Sequence, residues 1–428
     1  MRESDKTLSG FAWLLVVLLM PVALLNYLDR QMLASMQSSV MDSIPSLGQA
    51  ENKEELWGLM LGQFKWVYAA FSLVGGYIAD RFSRRFTICG SLFVWSAVTW
   101  WTGQVSTYQE LLWARSLMGV SEAFYIPAAL ALITDYHQGE TRSRAIGLHQ
   151  LAIYLGVIAG GFGGYVAANP DYGWRFAFSV CGGIGMLYAI PLVLLLRDAP
   201  KLVEVEKRAD VLTIDSRSPW SVLRDLLSNP SFVLLVLYFT LPAMAGWVVR
   251  DWMPSILKKQ YNIGQGQAGV AATLYWQVAA IVGVVIGGWL ADRWMRSNQR
   301  GRIYVSAIGM VLIVISIFGV GVAGTLFASI GCLIVFGIGW GFFDCNNMPI
   351  LAQIIRPQFR ASGYGIMNFV SISAGGIADW GFGVMRDKNI PLHFIFSGFA
   401  MLAIISVLLV LLIRPNPEIT RAEQAAQE

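Results

Sequence analysis

Gly75-Gly76-Tyr77-Ile78-Ala79-Asp80-Arg81-Phe82-Ser83-Arg84-Arg85 ends an apolar stretch with one acid and three arginines. The stretch before it begins near Trp57 and is long enough to cross a hydrocarbon core, which takes about 20 residues. The same order returns two hundred residues later as Gly287-Gly288-Trp289-Leu290-Ala291-Asp292-Arg293-Trp294. Arg142 with Gly147 is echoed in the same way by Arg360 with Gly365. An internal duplication of this kind is how secondary transporters are built, with the ligand site at the midplane between the repeats.

Outward from these two motifs, apolar segments recur along the whole chain. Spans are predicted near 11–40, 57–80, 86–104, 109–135, 143–168 and 174–196, and again near 231–258, 264–292, 302–322, 326–355, 361–385 and 391–413. The fold class is therefore an all-α membrane protein with twelve transmembrane helices in two pseudo-symmetric six-helix bundles. The expected division is 1–196, a cytoplasmic linker 197–229, and 230–428 with a short cytoplasmic tail. Composition agrees: 56% of the residues are hydrophobic and 14% charged, against roughly 25% charged in soluble domains. Phe11 to Leu28 is long enough to span and no small-residue cleavage site follows it, so no cleavable signal is expected.

Most of the 31 basic residues fall on one side of these spans, in Arg81-Arg84-Arg85, Arg142-Arg144, the linker and Arg293-Arg296-Arg300-Arg302. The first loop on the other side carries Asp42, Glu51, Glu54 and Glu55. Basic residues mark the inside face, so both termini are expected to be cytoplasmic, in a multi-pass protein of a bacterial-type plasma (inner) membrane. The net charge of +4 suggests no nucleic-acid partner. Neither the four cysteines nor the three histidines have metal-ligand spacing, and no metal or cofactor is expected.

Ionised residues inside spans are costly and mark functional sites. Asn26-Tyr27-Leu28-Asp29-Arg30 lies deep in the first span. Asp29 and Arg30 point about 100° apart on a helix, so Arg30 is expected to face the cavity with Asn26 while Asp29 faces a neighbouring helix. A structural ion pair is the competing account. In the fourth span Arg115, Gly119 and Glu122 share one face, with roughly 10 Å between the two charges. A carboxylate buried without a fixed partner favours its protonated form, which suits Glu122 to proton carriage; a permanent Arg115–Glu122 bridge would oppose it. Lys65 shares a face with Tyr68 and Ser72 in the second span. With Arg30 and Arg115 it would make this half of the cavity positive and suited to an anion, unless it pairs with an intramembrane acid. In the second half, Trp340, Phe343, Asp344 and Asn347 share a face, as do Asn368, Ser371, Gly375 and Asp379. These are candidates for recognising hydroxyl groups or for packing a polar interior. The run Gly156-x3-Gly160-Gly161-x-Gly163-Gly164 reads as close helix packing.

At the basic end, Gly76, Asp80, Arg81, Arg84 and Arg85, repeated by Asp292 and Arg293, are candidates for a cytoplasmic latch. A carboxylate among arginines near a helix start is electrostatically favoured. A topology-setting basic loop is the plainer alternative.

The Gly76 to Arg85 motif resembles the loop signature of the major facilitator superfamily, and the order of spans, linker and second signature matches it over nearly the whole chain. That resemblance implies two six-helix bundles around a central cavity. Ser83 stands where the family usually has glycine. Asn26 to Arg30 with Arg115-x3-Gly119-x2-Glu122-Ala123 resembles the anion:cation symporter group, as do Trp66-Val67-Tyr68 and Gly365-Ile366-Met367-Asn368-Phe369. This implies Asp29 and Glu122 as a proton-coupling pair and Arg30 as the contact to a substrate carboxylate. Asn26, Tyr27, Lys65, Tyr68, Arg115, Asn347, Asn368 and Ser371 complete the expected binding set. Asp29-Arg30 and the Arg115 to Glu122 arrangement are also similar to spinster-type lipid transporters; Lys65 matches neither group.

The expected function is proton-coupled symport of a small, sugar acid-like anion into the cytoplasm by alternating access. A spinster-like lysolipid or amphipathic-anion transporter is the alternative within transport. A membrane-embedded sensor or enzyme is the alternative outside it, though no nucleophile–base pair supports catalysis. The expected partners are the anion, protons and the bilayer, with the protein acting as a monomer.

Overall fold

In the computed structural model, residues 3–81, 83–137, 140–198 and 219–416 are described, and the side chains of 3–9, 76–81, 140, 219 and 358 lie outside that description. All regular structure among the described residues is helical. The long helices are α1 Glu3–Ser35, α2 Lys53–Arg81, α3 Arg84–Thr102, α4 in two pieces Tyr108–Glu122 and Tyr125–Tyr136, α5 in two pieces Glu140–Gly161 and Gly163–Ala168, and α6 Gly173–Leu195. After the linker come α7 Pro230–Tyr261, α8 Gln265–Met295, α9 Gly301–Val322, α10 Leu326–Ile354, α11 Arg360–Asp387 and α12 Leu392–Leu412. Nine of these twelve segments are long and apolar enough to cross a membrane by composition alone, among the described residues. The other three, α2, α3 and α11, carry the charges that lower their hydropathy, including Lys65, Arg84, Arg85 and Asp379. Leu187, Leu194, Phe327 and Leu412 are each more than 60% exposed, the outward apolar surface that lipid solvates.

Local chemistry sets several helix ends. Thr107 caps α4 by accepting from the Glu110 amide, while Glu110 Oε2 accepts from the Thr107 amide, a reciprocal box. The break in α4 follows from Pro127, which has no N–H to return to the Ala123 carbonyl. The Gly75 backbone comes so close that an added Cβ would lie 2.8 Å from that carbonyl oxygen. The predicted first span 11–40 divides instead: α1 ends at Ser35, and a short helix Gln37–Ser43 follows. Ser35 Oγ is hydrogen-bonded to the Met32 and Gly160 carbonyls at that point.

The chain forms two compact units, Met1–Thr213 with Asp251–Thr273, and Ile214–Arg250 with Leu274–Glu428. In the first, the glycine run of α5 packs two ways. A Cβ on Gly156 or Gly160 would lie 2.3 or 2.6 Å from the Leu24 or Leu28 carbonyl oxygen of α1. One on Gly164 would lie 2.6 Å from the Gln265 carbonyl oxygen. The glycines are therefore the packing surface expected of them, with Asp251–Thr273 seated against the first six helices. In the second unit, Tyr238, Phe239 and Trp340 gather around Phe343, with ring centroids 5.2–5.7 Å from it.

Candidate substrate and coupling site

Helix α1 carries Asn26 and Arg30 one turn apart, and α4 brings Glu122 to them. Arg30 donates from Nε to Glu122 Oε2 at 2.6 Å, and its Nη2 pairs with the same oxygen. Glu122 is fully buried and Arg30 nearly so. The approach of α4 to α2 is made by Gly119, where a Cβ would lie 2.8 Å from the Phe64 carbonyl oxygen. Three rings wall the guanidinium: its carbon lies 5.0 Å from the Tyr27 centroid and 4.9 Å from those of Phe64 and Tyr68. Arg115 is also held over Phe64, at 4.5 Å, so one ring serves two cations. Asn26 is completely buried, and neither of its amide atoms makes a well-formed hydrogen bond to protein.

Asp29 turns the other way, as the 100° step requires. Its Oδ2 accepts from Thr99 Oγ1 of α3 at 2.9 Å, and its Oδ1 is left without a hydrogen bond. Glu122 is thus tied to Arg30 rather than standing alone, and Arg115 instead lies against Met118, with Nη1 2.8 Å from the sulfur.

Lys65 follows the alternative given for it, pairing with an intramembrane acid, rather than adding a third cation to a positive cavity. It forms an ion pair with Asp251 of α7, both side chains largely buried. Interior cations Arg30, Lys65 and Arg115 of this unit therefore face acids Asp29, Glu122 and Asp251, which removes the positive excess. The sequence reading passed over Asp251, yet a signal was present. Arg250-Asp251 sits in the first span of the second half, where it reverses the Asp29-Arg30 pair of the first. In the second unit Arg250 lies 5.0 Å from the Trp247 ring and 6.0 Å from that of Trp276, close enough to Asp344 for the two charges to interact. Asn347 and Ser371 are buried and Asn368 half-buried in this unit, and both amide atoms of Asn347 lack a hydrogen bond.

At the basic end, the side chains of Gly76, Asp80 and Arg81 lie outside the described residues. Arg84 pairs with Asp135 at the end of α4, and Arg85 donates to the Val193 carbonyl. Ser83 gives the helix a cap: its Oγ accepts from the Phe86 amide at 3.3 Å, and Asp198 accepts from Ser83 Oγ and, at 2.9 Å, from the Arg85 amide. A glycine at position 83 would lack that hydroxyl. In the other half Asp292 lies 3.4 Å from Arg302 of α9 instead of pairing with Arg293, whose guanidinium sits over Trp289 at 5.8 Å. Among the described residues no group of three or more His, Cys, Asp or Glu could hold a metal ion.

A family model described as Major Facilitator Superfamily matches residues 19–378. Protein spinster homolog 1 of Homo sapiens is 28% identical over 337 residues, covering 76% of this chain and 61% of that protein. The chain thus spans about three-fifths of that relative's length. The sphingosine-1-phosphate transporter SPNS2 of Mus musculus is 27% identical over 408 residues, covering 88% of this chain and 72% of the relative. Among solved structures, a bacterial homolog of the human lysosomal transporter Spinster, in an inward-facing and occupied conformation, superposes with a TM-score of 0.76. It is 18% identical, and the match covers 93% of this chain and 96% of that one.

Proposed function

The chain belongs to the Major Facilitator Superfamily, and from that premise we propose that it moves an amphipathic organic anion across the membrane by alternating access, linked to protons through Glu122. One observation carries this reading: Arg30 is held by a single buried carboxylate inside three aromatic walls. Removing one partner of a buried pair costs about 3–5 kcal/mol, because the other is left uncompensated. Arg30 can leave Glu122 only when a proton neutralises the acid and another anion takes its place. A substrate carboxylate or phosphate meets that requirement, and protonation of Glu122 then accompanies binding. Asp29, desolvated beside it, is the second proton carrier.

The aromatic walls favour a ligand with an apolar body behind its charged head. The similarity to a transporter named for sphingosine-1-phosphate supports the same chemistry. A second reading, symport of a sugar acid, draws on the symporter-like motifs and on Asn347, whose unbonded amide suits a hydroxylated ligand. In either case both termini lie in the cytoplasm, as the distribution of arginine and lysine implies, and the protein works as a monomer.

The deciding experiment is uptake into proteoliposomes with imposed pH gradients, using a lysophospholipid, a phosphorylated long-chain amine, a sugar acid and its neutral parent sugar. Gradient-stimulated movement of the amphiphiles supports the first reading. Movement of the sugar acid alone supports the second, and preference for the neutral sugar defeats both.

A further inference from the structure

Between the linker and α7 lies a separate helix, Pro219–Leu227. At 100° per residue, Val222, Leu226, Leu223, Leu227 and Trp220 occupy one arc of about 160°, while Ser221, Ser228 and Asp225 lie opposite. The protein covers only part of that apolar arc. Leu226 is buried and Val222 and Leu223 are half-buried, but Leu227 at the edge is 51% exposed and Trp220 77% exposed. Arg224, also exposed, lies about 40° beyond Trp220. The uncovered apolar edge is thus bordered by a cation, with the water-seeking residues farther round.

Three features point to what covers this edge. The helix ends three residues before Pro230, where the chain enters the membrane as α7. The entry of α7 lies beside the exit of α12: the Arg414 amide donates to Ser231 Oγ at 3.3 Å. At that exit Leu412 is 61% exposed, so lipid-facing surface begins at the same level. Tryptophan prefers the headgroup level, and arginine there meets phosphate. A helix with one apolar edge and a flanking arginine lies in the plane of the interface.

We propose that Pro219–Leu227 is an interfacial anchor on the linker side of the membrane. Trp220 and Leu227 enter the acyl boundary of the leaflet, and Arg224 engages an anionic lipid phosphate. The occupant of the exposed edge is the bilayer itself. The anchor holds the end of the central linker at the membrane surface, directly before the second half of the transporter.

The test uses the full chain in vesicles of phosphatidylglycerol and phosphatidylcholine. Trp220→Cys and, separately, Ser228→Cys are placed in a chain whose four native cysteines are replaced by serine, and each is labelled with a bimane fluorophore. The label at 220 is expected to be quenched by acyl-brominated lipid and shielded from aqueous iodide, with the reverse at 228. Iodide access at 220 without lipid quenching overturns the proposal. Shielding from both quenchers also overturns it, since the linker or a second copy would then cover the edge. If the cysteine-free chain does not fold, Arg224→Gln in the otherwise unchanged protein decides the matter. The wild type should melt higher in phosphatidylglycerol than in pure phosphatidylcholine, with that difference reduced in the variant. An undiminished difference contradicts the assignment.

Discussion

Arg30 of α1 donates to Glu122 of α4 at 2.6 Å, joining the two helices at the point where Gly119 lets α4 approach α2. The ion pair holds Arg30 to Glu122, and in the proposed mechanism a proton on Glu122 weakens that hold. Under the proposed function, coupling between proton and anion rests on that competition.

Glu122→Gln removes the exchangeable proton but keeps an oxygen that can accept from Arg30. Net accumulation driven by a pH gradient should be lost, whereas counterflow of labelled against unlabelled substrate should persist, because exchange requires no net proton release. Both are measured in the same liposomes. Gradient-driven accumulation at the wild-type level in this variant would remove Glu122 from the coupling pathway.

Arg30→Lys keeps the charge and loses the rest. A lysine ammonium cannot grip an anion with two parallel hydrogen bonds or lie flat among Tyr27, Phe64 and Tyr68. Binding should weaken by about 1.5–3 kcal/mol, the worth of a charge-assisted hydrogen bond. Calorimetry with the transported anion tests this, and unchanged affinity would place the anion elsewhere.

Lys65→Ala leaves Asp251 buried without its cation and should lower stability by about 3–5 kcal/mol. The double variant Lys65→Ala/Asp251→Ala removes both charges and should recover much of that loss. Melting temperatures of the three proteins in nanodiscs report the coupling. Anion preference over a neutral analogue should survive in the double variant, because Lys65 is committed to Asp251. Additive losses would mean that the two residues act independently.

Gly156→Leu inserts a side chain where even a Cβ would lie 2.3 Å from the Leu24 carbonyl oxygen. The obstacle is backbone, so α1 and α5 must separate. Overpacking of this kind costs about 1–3 kcal/mol. Gly147→Leu, at a position with open space around it, is the matched control and should melt near the wild type.

The span positions after the first, the duplicated Gly-Gly to Asp-Arg motif, the packing role of the α5 glycines and the divergent directions of Asp29 and Arg30 all follow from the chain alone. Each depends on local hydropathy or on the fixed 100° step of a helix, which neighbours in sequence determine. The partners of the buried charges do not. Glu122 is matched to Arg30 across 92 residues, and Lys65 to Asp251 across 186. Asp292 meets Arg302 rather than the adjacent Arg293. Ion pairing depends on which helix faces meet at the same depth, and that is set by how glycines such as Gly119, Gly156 and Gly164 let helices approach and rotate. Sequence alone placed the charges in the membrane; only the packed helices decided which acid neutralises which cation, because a Coulombic contact depends on distances of a few ångströms that no local pattern encodes.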